Sequence, residues 1–156
     1  MTETDQAALS YLARRDVSGQ WRGFVQALVE TLDAHLDAAT RGGLLRAVGA
    51  RMGAEMPLRP ASTLAELEAR MNEALGRIAW GYVAVSLEQS DRSLRLVHRA
   101  APAIGAAGDA AGGWIAAVLE GLYGAWLGSQ QGGGEAGAAL RTLRAEAGLV
   151  VLRYGQ

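Results

Sequence analysis

The hydrophobic periodicity of this chain changes from a helical repeat to a strand repeat at about residue 80. Before that point, apolar residues recur every three or four positions, which is typical of helices that bury one face. In YVAVSLE (82–88) and SLRLVHR (93–99), alternate residues are apolar instead, and the turn-like QSDR lies between the two runs. This pattern predicts a β-hairpin. Helices followed by strands predict an α+β fold.

The first long helix is predicted to begin at a capping serine. Ser18 is placed to cap a helix that runs through about Asp37, because a serine side chain accepts a hydrogen bond from the free amides of a first turn. Apolar residues recur on this helix every four positions, at Phe24, Leu28, Leu32 and Leu36. The spacing predicts one buried stripe.

Two further helices are predicted before the strands. Thr40 is placed to cap a helix that ends before Pro57, since proline cannot continue a helix. Thr63 and Glu66 form a capping-box pattern at the start of the other. The apolar face of that helix comprises Leu64, Leu67, Met71, Leu75 and Ile78.

A second pair of strands is predicted near the end of the chain. LRTLR (140–144) and GLVVLRY (148–154) follow a flexible glycine-rich loop, QQGGGEAG (130–137), although LRTLR is also compatible with a helix. The sequence therefore predicts long N-terminal helices packed on a small antiparallel sheet of about four strands.

GWIAAVLEGLYGAWLGSQ (113–130) predicts a buried helix that is rich in glycine. Each glycine inside a helix costs about 1 kcal/mol relative to alanine. A helical projection places the small residues Ala117, Gly121, Gly124 and Gly128 on one face. Such a face lets another backbone approach closely, and dense packing then offsets the cost. The neighbour is either another element of the same protomer or a second subunit.

Composition predicts a single domain that associates with copies of itself. The chain has 156 residues, 50% hydrophobic residues and a net charge of −1, and the last two properties favour association. We assign residues 18–156 to one domain and residues 1–17 to an N-terminal lead. The 15 basic residues, all arginine, form no basic stripe in the sequence, so nucleic acid is not expected as a partner. The start lacks the features of a signal peptide, and no apolar run is long enough to span a bilayer.

No catalytic constellation is evident from the sequence. His35 and His98 lie in different predicted elements, and His98 shares a strand face with Leu94 and Leu96, which favours a structural histidine. The acidic residues of the helices, Asp33, Asp37, Glu66 and Glu68, are interpreted as caps and solvated positions. Cysteine is absent, which excludes disulfides and thiolate metal sites. We expect no enzyme activity, no metal and no cofactor.

A glycine-rich loop, AAPAIGAAGDAAGG (100–113), leads into the glycine-rich helix. A loop between a strand and a helix is the general setting of a phosphate-binding loop. The glycine spacing here matches neither the dinucleotide nor the P-loop pattern, and the chain has no lysine. The sequence therefore disfavours phosphate binding.

Several segments resemble one known family. They are GGLLRAVGARMGAEMPLRP (42–60), IAWGYVAVSLEQSDRSLRLVHRAAP (78–102) and IGAAGDAAGGWIAAVLEGLYGAWLGSQ (104–130). The strongest markers are Trp80 with Gly81, the SLRLVH strand and the VLEGLYGAW helix. In this order and spacing, the segments resemble the D subunit of bacterial cellulose synthase. The longer N-terminal lead and the shorter final hairpin depart from the family pattern.

The resemblance implies a non-catalytic accessory subunit that assembles as an octameric cylinder, a tetramer of dimers. In one view its internal passageways conduct growing glucan chains, and in another the octamers join a proline-rich partner into a scaffold that aligns synthase complexes. Other subunits of the complex are implied as partners. The implied location is cytoplasmic, beside the inner-membrane complex, with the periplasm as the alternative.

The N-terminal region is where the resemblance places the passageways. We therefore expect glucan to contact the rings of Tyr11 and Trp21 and the guanidinium groups of Arg14, Arg15 and Arg22. The alternative is that Trp21 joins the core of the first long helix. We expect the lead to be dispensable for folding, because little apolar burial is expected before Val17.

Two other functions remain open at this point. EGLYGAWLG (120–128) faintly resembles 4-vinyl reductase-like domains, which implies a small-ligand-binding module. A small enzyme is the third hypothesis, but no residue of the sequence favours it.

Overall fold

The computed structural model describes residues 2–15, 17–132 and 138–155. Its elements are α1 (Glu3–Arg15), α2 (Gly19–His35), α3 (Ala38–Glu55), α4 (Leu64–Arg77), β1 (Tyr82–Glu88), β2 (Ser93–Arg99), α5 (Ile115–Gly128), β3 (Ala139–Glu146) and β4 (Leu149–Gly155). The four strands form one antiparallel sheet in the order β1-β2-β4-β3. The predicted α+β class is confirmed. Most of the predicted loop at 130–137 lies outside the described residues.

The core of the protein forms around α5. Leu119, Leu122, Tyr123 and Trp126 of this helix are inaccessible to solvent or almost so. They belong to one apolar cluster with α4 residues such as Met71 and with buried residues of three strands, Val83, Leu96, Val150 and Leu152. The prediction of a buried, glycine-rich helix is confirmed.

Two of the three predicted caps are confirmed, and one is wrong. The Ser18 side chain accepts from the Gln20 amide, and the Thr63 side chain accepts from the Glu66 amide. The N-cap of α3 is Asp37 and not Thr40, because the Asp37 carboxylate accepts a hydrogen bond from the Thr40 amide at 2.8 Å. A carboxylate is a stronger acceptor than a hydroxyl, and α3 consequently starts at Ala38.

The predicted buried stripe on α2 is wrong over most of its length. Phe24 is 59% exposed and Leu28 is 46% exposed, whereas Leu32 and Leu36 are half-buried. Val29 is the buried residue of this helix. Helix α2 also contacts the rest of the chain through hydrogen bonds. For example, the Ala107 amide donates to the Glu30 carboxylate.

The N-terminal helix α1 is docked on the domain. Leu9 and Ala13 are buried, and the side chains of Gln6 and Ser10 each donate to the Ala147 carbonyl at 3.1 Å. The Ala103 amide also donates to the Ala13 carbonyl. The expectation that little apolar burial precedes Val17 is therefore wrong, because this short helix is stabilised by docking rather than by its own propensity.

Helix α4 covers the free edge of β1. The Asn72 amide group both donates to the Val83 carbonyl, at 2.8 Å, and accepts from the Val83 amide, at 2.7 Å. Glu68 accepts from the Val85 amide at 2.7 Å. The interpretation of Glu68 as a solvated residue is wrong, since its carboxylate satisfies an edge amide that another chain would otherwise bind.

The C-terminus of α4 closes in a Schellman motif around an alanine. The Trp80 amide bonds to the Leu75 carbonyl and the Ala79 amide to the Gly76 carbonyl, while Ala79 has a φ of 54°. This left-handed conformation costs an L-residue with a Cβ about 1 to 2 kcal/mol, and glycine is the usual residue there.

We expect Ala79→Gly to raise the free energy of unfolding by about 0.5 to 1 kcal/mol. The gain is the relieved Cβ strain less the extra backbone entropy that glycine loses on folding. Urea unfolding at one protein concentration measures it, with Ala69→Gly inside α4 as the control, which should be destabilising. Loss of stability in Ala79→Gly would contradict the strain argument.

Candidate functional site

Helices α3 and α5 approach each other so closely that two positions exclude any side chain. A Cβ added at Gly49 of α3 would lie 1.8 Å from the Val118 carbonyl oxygen. A Cβ added at Gly121 of α5 would lie 1.9 Å from the Arg46 carbonyl oxygen. Each glycine therefore faces the backbone of the other helix. This contact is made within one protomer.

The other small residues of α5 have different surroundings. A Cβ at Gly124 would meet the Leu140 side chain at 3.7 Å, an ordinary contact, and a Cβ at Gly128 would meet nothing within 4 Å. Ala117 is half-buried and lines a cleft beside Arg46. Within the protomer, the expected close approach is found at Gly121 and not at Gly124 or Gly128. Approach of a second subunit to Ala117, Gly124 and Gly128 stays a prediction.

Sequence reasoning missed the α3 half of this contact. Gly49 and Gly53 are both buried, and a Cβ at Gly53 would lie 2.8 Å from the Ala125 Cβ. Their spacing of four residues places them on one face of α3. This small-residue spacing on a helix was the signal that could have found the contact.

Glu120 links three elements beside the close-packed helices. Its Oε2 binds the Arg46 guanidinium of α3 at 2.6 Å, and its Oε1 accepts from the Thr142 hydroxyl at 2.6 Å and from the Thr142 amide at 3.1 Å. The carboxylate is nearly buried, with 12% of its side chain exposed. Glu120 therefore joins α3, α5 and β3 and does not present a free carboxylate for chemistry.

His98 is fully buried, and both of its ring nitrogens are occupied. Nε2 lies 2.7 Å from the Trp80 carbonyl, and Nδ1 contacts the Tyr123 hydroxyl. A carbonyl can only accept, so Nε2 carries the proton and Nδ1 accepts from Tyr123. Burial lowers the pKa of His98 to about 4, although its bond to the Trp80 carbonyl acts in the opposite direction. Burial also raises the pKa of Tyr123 well above its usual value.

The Asp109 carboxylate accepts hydrogen bonds from backbone amides at the end of the glycine-rich loop. Asp109 Oδ1 accepts from the Gly113 amide at 2.8 Å, and Asp109 Oδ2 accepts from the Trp114 amide at 3.0 Å. These amides precede α5 and are where an anion would bind at a helix start. The geometry thus agrees with the sequence in disfavouring phosphate binding.

The described residues include no cluster typical of a metal centre. Within them, no cluster of three or more His, Cys, Asp or Glu side chains could hold a metal ion. A cleft of about 470 Å³ lies between α3, α5 and the loop before α5. Its charged residues include Arg46 and Glu120, which bind each other, and Asp109, which binds the loop amides.

Large apolar side chains on α2 and α3 are exposed instead of buried. Trp21 and Phe24 make an edge-to-face ring contact, with centroids 5.8 Å apart, yet both are more than half exposed. We define the α2–α3 apolar surface as Trp21, Phe24, Leu28, Leu44 and Val48, each at least 46% exposed. Trp21, Phe24 and Leu28 are spaced to share one face of α2, and Leu44 and Val48 are spaced to share one face of α3. Large apolar side chains that are exposed along a helix face mark an interaction site more often than a stable solvent-facing surface.

The residues predicted to contact glucan lie on α1 and α2. Tyr11, Arg14, Arg15 and Trp21 are exposed. The Arg22 guanidinium binds the Arg14 carbonyl and the Ala103 carbonyl, so it holds α2 against α1. The alternative in which Trp21 joins the core is wrong, because this side chain is 56% exposed. Contact of these residues with glucan stays a prediction.

The sequence profile of one family, described as the D subunit of cellulose synthase, matches residues 7–155. The chain belongs to the family of the cellulose synthase D subunit. It is 42% identical over 109 residues to a cellulose synthase operon protein D of Komagataeibacter xylinus, which covers 70% of each chain. A protein of the same name from Komagataeibacter sucrofermentans is 40% identical over the same coverage. The predicted resemblance is confirmed.

Membership of the D-subunit family connects this chain with cellulose synthesis. The family match begins inside α1 and reaches the end of β4, so it includes residues 7–17 of the N-terminal lead and the whole of the final hairpin. No helix in the described part of the chain combines the length and the hydropathy that crossing a bilayer requires.

Proposed function

We propose that this chain is a non-catalytic accessory subunit of the bacterial cellulose synthesis and secretion complex. It assembles into an octameric cylinder, built from dimers, that promotes the ordered export or alignment of glucan chains. The observation that carries the proposal is the α2–α3 apolar surface, together with the family to which the chain belongs. A proline-rich partner, the other subunits of the complex and glucan itself are the proposed partners, at the cytoplasmic side of the membrane.

Self-association follows from the energetics of that surface. Full burial of a leucine or phenylalanine side chain contributes about 1.5 to 3 kcal/mol. Phe24, Leu28 and Val48 obtain little of that stabilisation in a single protomer. A closed assembly of identical chains would cover the same residues on every copy.

The interior of the protein supports an accessory role. Both nitrogens of the buried His98 are hydrogen-bonded, and Glu120 is held by Arg46 and Thr142. The Gly121 side of α5, which the small-ligand hypothesis would use, is filled by the α3 backbone. We therefore do not propose a ligand-binding or enzymatic function for this chain.

Leu28→Asp tests the proposal, since it places a charge in the α2–α3 apolar surface. We expect wild type to have the mass of eight chains by native mass spectrometry, and the variant to dissociate into smaller species at the same concentration. A buried unpaired carboxylate costs several kcal/mol per interface, whereas an exposed one in the monomer costs little.

Leu87→Asp is the matched control, because Leu87 on β1 is 53% exposed and lies outside the defined surface. It should retain the wild-type mass. A monomeric wild type would exclude the octamer, and an intact Leu28→Asp octamer would exclude this surface as the interface. Restoration of fibril order by the Leu28→Asp gene, in a cell lacking its own subunit, would show that assembly is not needed for function.

A further inference from the structure

The outer face of the sheet, opposite α5, carries a row of arginines that the sequence does not reveal. The strand register pairs Arg95 of β2 with Arg153 of β4, and Arg153 with Arg141 of β3. Paired residues of neighbouring strands project on the same face, and the strands lie roughly 5 Å apart. The three positions are far apart in the chain, so only the register brings them together. We call them the arginine row.

Charge in the arginine row is only partly compensated within the chain. Arg153 binds the Asp91 carboxylate through Nε, at 3.2 Å, and Nη2, at 2.8 Å. Neither Arg95 nor Arg141 forms an ion pair with any residue that the structure describes, and both are exposed. Like charges directly opposite each other destabilise a sheet. An acidic partner would remove that repulsion.

A second row, which is apolar, runs beside the arginine row. Two residues further along the strands, the register aligns Ala84 of β1 with Val97 of β2 and Val151 of β4. Positions two apart on a strand lie on the same face, about 7 Å from each other. On β3 the same row continues as Arg144, which pairs with Val151 in the register and binds Glu146. The apolar part of the row therefore spans β1, β2 and β4, beside the basic row.

Helix α1 shows that this face accepts a helix. Asp5, Leu9 and Leu12 of α1 line one groove, of about 410 Å³, with Tyr82 and Arg99. Tyr82 and Arg99 form the next row of the same face, beyond the apolar row. On the rest of the face, Ala84 is exposed and Val97 is half-buried, whereas Val151 is already buried. The part left open to a second helix is therefore Ala84, Val97 and the arginine row.

We propose that the arginine row and the adjacent apolar row bind an acidic amphipathic helix of a partner protein. Side chains at i, i+3 and i+4 of a helix are about 5 to 6 Å apart, close to the spacing of the row, whereas one face of an extended strand repeats about every 7 Å. A stripe of Asp or Glu would meet Arg95 and Arg141, and a neighbouring apolar stripe would cover Val97. The proposal is independent of octamer formation.

The test is fluorescence anisotropy with a labelled synthetic helix that has a glutamate stripe beside a leucine stripe. We expect the full chain to bind it at low salt, and added salt to weaken binding. Arg95→Gln combined with Arg141→Gln should weaken binding by about tenfold or more. The matched control is Arg51→Gln with Arg77→Gln, which removes two exposed arginines from helices and should change the affinity less than about twofold.

Four outcomes would overturn the proposal. They are no binding by wild type, equal loss in the control pair, equal binding of a helix with a lysine stripe, and stronger binding to phosphatidylglycerol vesicles than to the peptide. A change of native mass in the Arg95, Arg141 variant would also overturn it, since the row would then lie between copies. The melting temperature of that variant should stay level or rise at low salt, because repulsion is removed. Arg141→Gln alone, on the edge strand, repeats the measurement if the pair unfolds.

Discussion

Gly49→Ala is expected to lower the free energy of unfolding by about 3 kcal/mol, the upper end of the usual cost of overpacking a core. The added Cβ would lie 1.8 Å from the Val118 carbonyl oxygen, which belongs to the backbone of α5 and cannot rotate away. The two helices would have to separate along their whole contact. Gly121→Ala should have a similar effect, since its Cβ would meet the Arg46 carbonyl at 1.9 Å.

Two matched glycines serve as controls for this experiment. Gly43 lies on α3 with open space around it, and Gly124 lies on α5 with room for a Cβ. Alanine at either position should raise the stability by about 0.5 to 1 kcal/mol through its higher helix propensity. All variants are compared by urea unfolding at one protein concentration, because the proposed assembly would contribute to stability. Equal stability of Gly49→Ala and wild type would show that the helices have room to spare.

The second large effect is a loss of stability in mild acid that His98 causes. The pKa of His98 is lowered to about 4 in the folded protein, from about 6.5 in an unfolded chain. Between these values the unfolded chain binds the extra proton and the folded chain does not. Stability is therefore complete above about pH 6.5 and falls as the pH approaches 4. The expected loss at pH 4 is about 3 kcal/mol.

His98→Gln separates this effect from other titrations. Glutamine keeps hydrogen-bonding groups near the Trp80 carbonyl and the Tyr123 hydroxyl but does not titrate. The variant should lose the slope of stability between pH 6.5 and 4, whatever its stability at pH 7. Asp91 also has a depressed pKa, of about 2, and its contribution is lost only below about pH 4. An unchanged slope in His98→Gln would contradict the assignment to this histidine.

The buried histidine and the close-packed glycines explain how a short chain builds a well-packed core. His98 connects β2 with Tyr123 of α5 and with the Trp80 carbonyl, and Gly49 and Gly121 hold α3 directly against α5. These contacts concentrate stability in the centre of the protomer. Helix α2, by contrast, buries Val29 and exposes Phe24 and Leu28. In the proposed octamer, neighbouring copies would stabilise this helix.

Local patterns in the sequence were enough to predict the strands and most of the helices. The hairpin at 82–88 and 93–99 matches β1 and β2 residue for residue, because alternation of apolar side chains is a property of each strand alone. Ser18 and Thr63 were identified as caps for the same reason, since a cap bonds amides only two or three residues away. Thr40 failed because Asp37, three residues earlier, supplies the stronger acceptor.

Patterns that depend on a distant neighbour were predicted less well. The apolar stripe of α2 was recognised as apolar, but periodicity does not say whether the covering surface belongs to the same protomer. The sequence predicted that one face of α5 carries only small residues. Which of its glycines, Gly121 or Gly124, contacts the α3 backbone depends on where α3 crosses that face. Glu68 looked like a solvated helix residue until the free edge of β1 was found beside it.

The order of the elements from α2 onward, the boundaries of β1 and β2 and the absence of cysteine chemistry follow from the residues themselves, because each depends on side chains that are close in the chain. The arginine row, the Gly49–Gly121 contact and the exposure of Phe24 depend on the crossing of α3 and α5 and on the register between strands. Those relations join residues that are many positions apart. They arise from packing of the whole domain, which no local repeat encodes.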